Sequence, residues 1–203
     1  MIAGVILAAG SSLRLGRPKQ LLMWRGRPLL QHVIEAAAAS NLTELVVVLG
    51  HEADRVSDAL SLPEGARLAH NPDYRSGQAS SLRVGLTALS DDSHAAAILL
   101  SDNPFVTAGL IDRVIEEFEL SSAPVVRPRF GEVPGHPVVA ARSEWEHWKP
   151  AGDEGVRALL DVSDVHELQF DETMLTDIDT WDDYQTLLDR DRSGFEPSSE
   201  HHC

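Results

Sequence analysis

The segment IAGVILAAGSSLRLGRPK, residues 2–19, passes from an apolar run directly into a loop of small and basic residues. We predict that Ile2 to Leu7 forms a strand buried on both faces, because every residue in it is apolar or small. The largely apolar runs 44–49 and 95–100 have the same character, and amphipathic stretches separate them. Apolar strands that alternate with helices indicate a parallel sheet covered on both sides.

The amphipathic stretches predict the outer layers of this sheet. In each of them, apolar residues recur at a spacing that puts them on one helical face. The predicted helices are 29–39, 53–60, 80–89, 110–118, 156–160 and 182–188. A weaker strand is predicted over 66–70 and a late strand over 165–170.

The alternation of apolar strands and amphipathic helices changes after about Ser121. Short strands at 125–126 and 137–140 flank a loop rich in Gly and Pro, which indicates a hairpin insertion. The predicted fold class is α/β, a mostly parallel, Rossmann-like, three-layer sheet with a small β insertion in the second half. We expect one domain over residues 1–188 and a disordered tail over 189–203, where the sequence becomes polar.

Composition argues against two classes of partner. The 203 residues include 32 acidic side chains against 17 Lys and Arg, a formal charge of −15. Such a surface repels nucleic acid and anionic membranes, so we expect neither as a partner. No apolar run reaches the roughly 18 residues of a membrane span. A single cysteine, Cys203, cannot form a disulfide within the chain, and a cytoplasmic location is expected.

The loop after the first strand is suited to binding a triphosphate. Ligands of open parallel sheets lie at the carboxyl ends of the strands, and small residues let a ligand approach the backbone. Successive backbone N–H groups can point at phosphate oxygens, and nearby basic side chains add charge. The residues expected to bind a nucleotide here are Leu7, Ala8, Ala9, Gly10, Ser11, Ser12, Arg14 and Lys19.

The spacing of this loop excludes two familiar phosphate-binding motifs. A P-loop ends in Gly-Lys-Ser/Thr, whereas Arg17-Pro18-Lys19 follows Gly16. A dinucleotide fingerprint needs Gly-x-Gly-x-x-Gly, and residue 12 is a serine. The alternative is that the segment is only a turn, which the combined presence of the basic residues disfavours.

Two aspartates follow predicted strands. Asp102 comes after the run 95–100, and Asp179 comes after the late strand and before the last helix. Two such carboxylates would suit Mg²⁺, which takes oxygen ligands from one or two carboxylates and from substrate phosphates. Alternatively, Asp102 is a turn residue before Pro104 and Asp179 a helix-start residue. Asp177 is left out of the predicted site.

The loop resembles the signature of the MobA-like NTP transferase family, L-A-[AG]-G-x-[SG]-x-R-[ML]-G-x-x-K, and is most similar to the molybdenum cofactor cytidylyltransferase branch. Further segments similar to that family are 71–82, 135–138, 152–157 and 177–180, so the resemblance extends over residues 2–188. It implies a nucleotidyltransferase in which Arg14 and Lys19 are catalytic. It also implies Mg²⁺ on Asp102 and Asp179.

The resemblance implies the substrates as well. Ala9 goes with transfer of CMP from CTP, and the acceptor would be a phosphate group such as that of the molybdenum cofactor. Ser80 and Ser81 would bind the nucleotide. The residues assigned to the acceptor are His136, Asp153 and Arg157. His136 could equally be a loop histidine, and Asp153 and Arg157 could simply pair at a helix start.

Two other functions stay open at this point. One is a related transferase acting on a sugar phosphate or a polyol phosphate. The other is a nucleotide-binding regulatory or chaperone protein without turnover. The resemblance would also admit a molybdoenzyme or a chaperone as a protein partner.

Overall fold

The computed structural model describes residues 1–12, 14–146, 152–162, 164–170 and 177–192. The helices within these ranges are α1 (Leu29–Ala38), α2 (Ala53–Asp58), α3 (Gln78–Thr87), α4 (Ala108–Leu120), α5 (Ser143–Glu146), α6 (Gly155–Val162) and α7 (Trp181–Arg192). The strands are β1 (Ile2–Ala8), β2 (Met23–Trp24), β3 (Arg27–Pro28), β4 (Leu45–Leu49), β5 (Ala66–His70), β6 (Ala95–Leu100), β7 (Val125–Phe130), β8 (Val133–Pro134), β9 (Val138–Ala141) and β10 (Val165–Phe170). Short 3₁₀ turns cover Lys19–Leu21, Tyr74–Ser76 and Gly152–Glu154.

The main sheet has the strand order β10-β7-β9-β6-β1-β4-β5, with β8 beside β7. Parallel pairs join β1 to β4 and β6, β4 to β5, and β7 to β10. β9 runs antiparallel to both of its neighbours, β6 and β7, so the other strands along this path share one direction. Their carboxyl ends therefore meet at one edge of the sheet. The predicted α/β fold class is confirmed.

Helices cover both faces of the sheet, as the apolar runs predict. Along β1, Ile2 and Ile6 face α1 and α4, whereas Val5 and Leu7 face α3 and α6. All seven residues of the strand are buried. Helix α3 packs so closely on the sheet that a Cβ at Gly85 would collide with the side chain of Val5. Burial on both faces explains why the strand has no polar alternation.

The predicted β insertion is part of the main sheet. β7 extends to Phe130, beyond the predicted 125–126, and forms a hairpin with β8. β9 is buried and enters the sheet between β6 and β7. The sequence did not predict this position of β9, because a four-residue apolar run has the same pattern in a hairpin and in the interior of a sheet.

The last helix and a small hairpin form a third packing unit. Helix α7 reaches Arg192, beyond the predicted boundary at residue 188, and residues 193–203 of the predicted tail lie outside the described ranges. The sequence analysis missed the antiparallel pair β2–β3, whose turn residues Arg25 and Gly26 both have positive φ, as a two-residue hairpin requires. The buried residues that join the first loop, this hairpin and α7 are Leu15, Leu22, Trp24, Leu29, Phe105, Ile178 and Leu187.

Among the described residues, no helix is long and apolar enough to cross a membrane.

Candidate active site

The loop between β1 and the turn Lys19–Leu21 lies at the carboxyl edge of the sheet. Ser12 has a left-handed backbone with a φ of 50°. Its carbonyl oxygen accepts hydrogen bonds from the N–H groups of Leu15 and Gly16 at 3.0 and 3.2 Å. Gly10 is exposed, and a Cβ there would meet nothing within 4 Å. A ligand can therefore approach the backbone at Gly10 without a side chain in the way.

Three hydrogen bonds hold the two ends of this loop together and place Lys19. The backbone N–H of Lys19 donates to Ser12 Oγ at 3.0 Å. The buried side chain of Gln20 donates from Nε2 to the carbonyl oxygens of Ala8 and Gly10, at 2.8 and 3.1 Å. Lys19 is thereby fixed beside the end of β1, with its side chain directed across the edge of the sheet.

The Lys19 ammonium lies between two carboxylates from distant parts of the chain. Nζ donates to Oδ2 of Asp102, which follows β6, and to Oδ1 of Asp179, which precedes α7, at 2.9 Å in the second case. The carbonyl oxygen of Asp102 accepts from the N–H of Ile178 at 3.1 Å, which joins the two segments. Arg14 Nη2 lies 3.4 Å from Asp179 Oδ2 in a more exposed contact. Both predicted cations and both predicted carboxylates therefore meet.

The contacts between Lys19 and Asp179 stabilise the charged forms of both side chains. Burial alone would lower the pKa of Lys19, but the charges and hydrogen bonds of Asp102 and Asp179 outweigh burial and raise that pKa above its usual value. The hydrogen bond from Lys19 lowers the pKa of Asp179, although burial acts in the opposite direction. The Lys19 side chain is 17% exposed and that of Asp102 only 9%. Water therefore screens this ion pair little.

A third carboxyl group, Asp177, was not part of the predicted site but lines the same cavity. Burial raises the pKa of Asp177 to about 6, and the negative charges of Asp102 and Asp179 act in the same direction while Lys19 opposes them. The edge thus carries an excess of acidic groups, which additional positive charge would stabilise.

The residues at this edge fit a divalent metal ion. Asp102 and Asp179 both contact one cation, the Lys19 ammonium, so the two carboxylates converge on a common position. Carboxylate oxygens are the ligands that Mg²⁺ prefers. Within the described ranges, no group of three or more His, Cys, Asp or Glu could hold a metal. A cation on these two aspartates would therefore take its other ligands from substrate and water.

A cavity of about 710 Å³ lies along this edge. Its wall combines the backbone of the loop, the carboxylates of Asp102, Asp177 and Asp179, and the start of α3. The predicted site residues that line the cavity are Leu7, Ala9, Gly10, Ser11, Lys19, Ser81, Asp102 and Asp179. A volume of this size is in the range of pockets that hold a ligand as large as a nucleotide.

The residue predictions missed several other residues of the cavity wall. Among them are His51, Tyr74, Arg75 and Gln78. His51 Nδ1 lies 3.2 Å from the Tyr74 hydroxyl oxygen, and the Arg75 guanidinium lies over the Tyr74 ring, 5.5 Å from its centroid. Tyr74, Arg75 and Gln78 belong to the segment 71–82, which the sequence analysis already found similar to the family. His51 could have been found from its place two residues after β4, at the carboxyl end of a parallel strand.

The two predicted serines of α3 differ in position. The buried Asn71 donates from Nδ2 to Ser80 Oγ at 2.8 Å and to Ser81 Oγ at 2.9 Å. Ser81 lines the cavity, whereas the buried Ser80 hydroxyl also contacts the carbonyl oxygens of Gly77 and Asp73, at 2.8 and 3.1 Å. In this structure Ser80 braces the start of α3 and does not reach the cavity wall.

Several predicted residues lie beside or away from the cavity wall. Ala8 packs into the core on the α1 side of the sheet, Ser12 braces the loop, and Arg14 is largely exposed. Neither His136 nor Arg157 lines the cavity.

The three predicted acceptor residues are not brought together by any described contact. His136 Nδ1 lies 3.3 Å from the carbonyl oxygen of Ile98, and burial lowers its pKa. The Arg157 side chain is 82% exposed and lies 3.8 Å from Asp161 on the same helix. Asp153 lies in the turn Gly152–Glu154, and its side chain is outside the described part of the structure. An acceptor role for these residues stays a prediction.

Solved structures similar to this chain cover almost all of it. Rv0371c from Mycobacterium tuberculosis H37Rv superposes with a TM-score of 0.83 and is 34% identical, over 93% of this chain and 97% of that chain. A complex of Rv0371C with manganese from the same organism has a TM-score of 0.77 and 31% identity, over 93% and 98% of the two chains.

Curated proteins give a similar result. The molybdenum cofactor cytidylyltransferase of Escherichia coli strain K12 is 23% identical over 188 residues, which are 92% of this chain and 95% of that protein. Two further curated relatives are 38% and 36% identical, but the chain spans only 24% and 55% of their lengths. The MobA-like NTP transferase domain matches residues 4–169, which include the loop, Asp102 and the α3 wall of the cavity. The chain belongs to the MobA-like NTP transferase domain family.

Proposed function

We propose that this protein transfers CMP from CTP to a phosphate group of an acceptor such as the molybdenum cofactor, with Mg²⁺ as its metal. The observation that carries the proposal is the meeting of Lys19 with Asp102 and Asp179 beside the open loop at Gly10. A triphosphate needs positive charge and free backbone, and a metal needs carboxylates. One cavity offers all three.

In the proposed reaction, an oxygen of the acceptor phosphate attacks the α-phosphorus of CTP. A new phosphorus–oxygen bond forms, the bond between the α-phosphorus and the bridging oxygen breaks, and pyrophosphate leaves with the electron pair. A phosphate monoester is already ionised at neutral pH, so no side chain has to remove a proton. The task of the protein is therefore positioning and neutralisation of charge.

Each group of the cavity has a role in this scheme. Lys19, Arg14 and the backbone around Gly10 and Ser11 bind the triphosphate. Asp102 and Asp179 hold Mg²⁺, which would neutralise the phosphate oxygens and orient the attacking group.

The relatives support the same reading. A solved relative that is 31% identical is a complex with manganese, another divalent cation. A relative that matches nearly the full chain is a molybdenum cofactor cytidylyltransferase, which supports CTP and that acceptor. The resemblance of the loop further supports cytidylyl transfer through Ala9, a buried residue that lines the cavity.

The test is pyrophosphate release from CTP, GTP, ATP and UTP in separate reactions with Mg²⁺ and molybdenum cofactor. We expect the fastest release from CTP, no release after chelation of the metal, and a large loss in Lys19→Ala. Arg192→Ala is a matched control, because it removes an exposed cation at the end of α7, far along the chain from the loop. Fastest release from GTP would overturn the base assignment.

Two further outcomes would replace the proposal. Release that requires a sugar phosphate or a polyol phosphate would assign a different acceptor. Tight CTP binding, measured by calorimetry, without pyrophosphate from any acceptor would indicate a nucleotide-binding protein that has no turnover.

A further inference from the structure

The ammonium of Lys19 occupies the position on which Asp102 and Asp179 converge. It donates to one oxygen of each carboxylate, and the described ion-pair partner of Asp102 is Lys19 alone. The loop bonds from Ser12 and Gln20 fix the backbone from which this side chain extends. The carboxylates that would bind a metal therefore already hold a cation from the chain itself.

We infer that Lys19 and a divalent cation compete for Asp102 and Asp179, so that the nucleotide-free protein binds the metal weakly and triphosphate binding opens the metal site. This inference rests on the proposed function, because it takes the two carboxylates to be the metal ligands. It adds that Lys19 has two successive partners, the carboxylates first and the triphosphate second.

Competition follows from charge and burial. A divalent ion between the two carboxylates would lie next to the ammonium, and like charges at such a distance repel strongly where water is scarce. The Asp102 side chain is 9% exposed and that of Lys19 is 17% exposed, whereas Asp179 is 45% exposed, so solvent can reduce this repulsion mainly on the side of Asp179. The metal must therefore displace Lys19 and also break its two hydrogen bonds.

A triphosphate can relieve this competition. Lys19 lines the same cavity as Gly10 and Ser11, the loop residues at which the triphosphate is proposed to bind. Lysine carries its charge on a flexible four-carbon stem, which can turn from a carboxylate to a phosphate without movement of the backbone. Because coupling between two ligands is reciprocal, the metal should then raise triphosphate affinity as much as the triphosphate raises metal affinity.

The first test is titration of Mn²⁺ into nucleotide-free protein, with bound and free ion distinguished by electron paramagnetic resonance. We expect Lys19→Met to bind Mn²⁺ about tenfold or more tightly than the wild type, because the competing charge is gone. Arg17→Met is the matched control: it removes the same charge from the same loop, and Arg17 lies over the Trp181 ring at 5.2 Å. Equal affinities in wild type and Lys19→Met, or an equal gain in both variants, would overturn the inference.

A second test uses the wild-type chain, in case Lys19→Met does not fold. The sequence contains only two lysines, Lys19 and Lys149, so acetylation of each can be followed by mass spectrometry. Mg²⁺ should release Lys19 and increase its rate of acetylation relative to Lys149, with a saturable dependence. NaCl at the same ionic strength should not do so, and a ratio that stays flat with Mg²⁺ would overturn the inference.

Neither test measures turnover, so the two proposals can fail separately. Metal-dependent pyrophosphate release with equal Mn²⁺ affinities would leave the proposed function intact and remove the competition. Tighter Mn²⁺ binding in Lys19→Met, with no pyrophosphate released by the wild type from any NTP, would leave the competition intact and remove the proposed function.

Discussion

Gln20 Nε2 lies 2.8 Å from the carbonyl oxygen of Ala8, so a side chain of the first 3₁₀ turn is bonded to the end of the first strand. The same nitrogen donates to Gly10, and Gln20 is only 1% exposed. Since Lys19 is the preceding residue, this amide sets how far the Lys19 backbone lies from the sheet edge. The loop is therefore held by a polar residue inside the protein.

Gln20→Met should remove both hydrogen bonds while keeping the shape of the side chain. We expect a loss of about 1–3 kcal/mol of stability and weaker CTP binding, because the loop is no longer tied to β1. Melting curves and calorimetric titration of the variant measure the two effects. Gln185→Met, on exposed α7, is the control. A lower Tm with unchanged CTP affinity would limit Gln20 to a role in folding.

Asp102→Asn and Asp179→Asn should each abolish metal-dependent turnover and leave the fold intact. Each change keeps the size of the side chain and removes one charge from the convergent pair. If the two carboxylates hold one ion, the double variant should be about as inactive as each single variant. A capping role for Asp179 would instead give a stability loss of about 1 kcal/mol with activity retained. Turnover measured beside melting curves separates these outcomes.

The sequence could predict the residues of this site that are placed by the ends of strands, but not the contacts that depend on the path of a loop. Asp102 and Asp179 were predicted because each follows a strand, and parallel strands bring such residues to one edge. That they meet on Lys19 was not predicted. This contact depends on the direction of the loop after β1, which is set by the Gln20 bonds and by the left-handed backbone of Ser12.

The parts that were missed are short or depend on tertiary packing. β2 and β3 have two residues each, too few for an alternating pattern to be recognised, and α7 stabilises them through the bond from the Tyr184 hydroxyl to the Met23 carbonyl oxygen at 2.6 Å. The expected end of α7 was wrong for a related reason. Asp191 pairs with Arg25 of the hairpin at 2.6 Å, so the polar end of the helix has a tertiary partner.

Asp183→Ala should weaken activation by Mg²⁺ although Asp183 does not line the cavity. Its Oδ2 accepts from the N–H of Asp179 at 3.1 Å and from the N–H and hydroxyl of Thr180, both at 2.7 Å. Thr180 Oγ1 accepts from the Asp183 N–H in return, at 3.2 Å, which completes a capping box at the start of α7. Loss of this carboxylate frees the backbone that carries Asp179.

The expected result is a higher Mg²⁺ concentration for half-maximal turnover, together with a stability loss of about 1 kcal/mol. Asp183→Glu should restore Mg²⁺ activation, because glutamate serves at this position of a capping box. Asp182→Ala is the control, as it removes an exposed acid from the same turn. If Asp182→Ala raised the Mg²⁺ concentration for half-maximal turnover equally, the effect would come from the loss of negative charge at the start of the helix and not from the capping box.

Glu44, which precedes β4, connects β5 with the loop between α3 and β6, away from the cavity. Its Oε1 accepts from the N–H of Ser90 at 2.8 Å and from the hydroxyl of Ser93 at 2.7 Å, and its Oε2 lies 2.9 Å from Arg67 Nη2. Burial alone would raise the pKa of Glu44, but these hydrogen bonds and the Arg67 charge outweigh burial and lower it. The side chain is 14% exposed, so the ionised form is stabilised mainly by the folded protein.

A lowered pKa makes this stabilisation dependent on pH. The folded state favours the carboxylate, so the contribution of Glu44 is complete above its ordinary pKa of 4.5 and is lost as the pH falls through the lower pKa of the folded state. We expect Glu44→Gln to be less stable than the wild type by about 1–3 kcal/mol at neutral pH. The difference should shrink only below pH 4.5, because Gln does not titrate.

Urea unfolding of both proteins across this pH range measures the difference in stability, with Glu64→Gln as the exposed control. A difference that stays constant down to the acid limit of folding would mean that the charge on Glu44 contributes nothing.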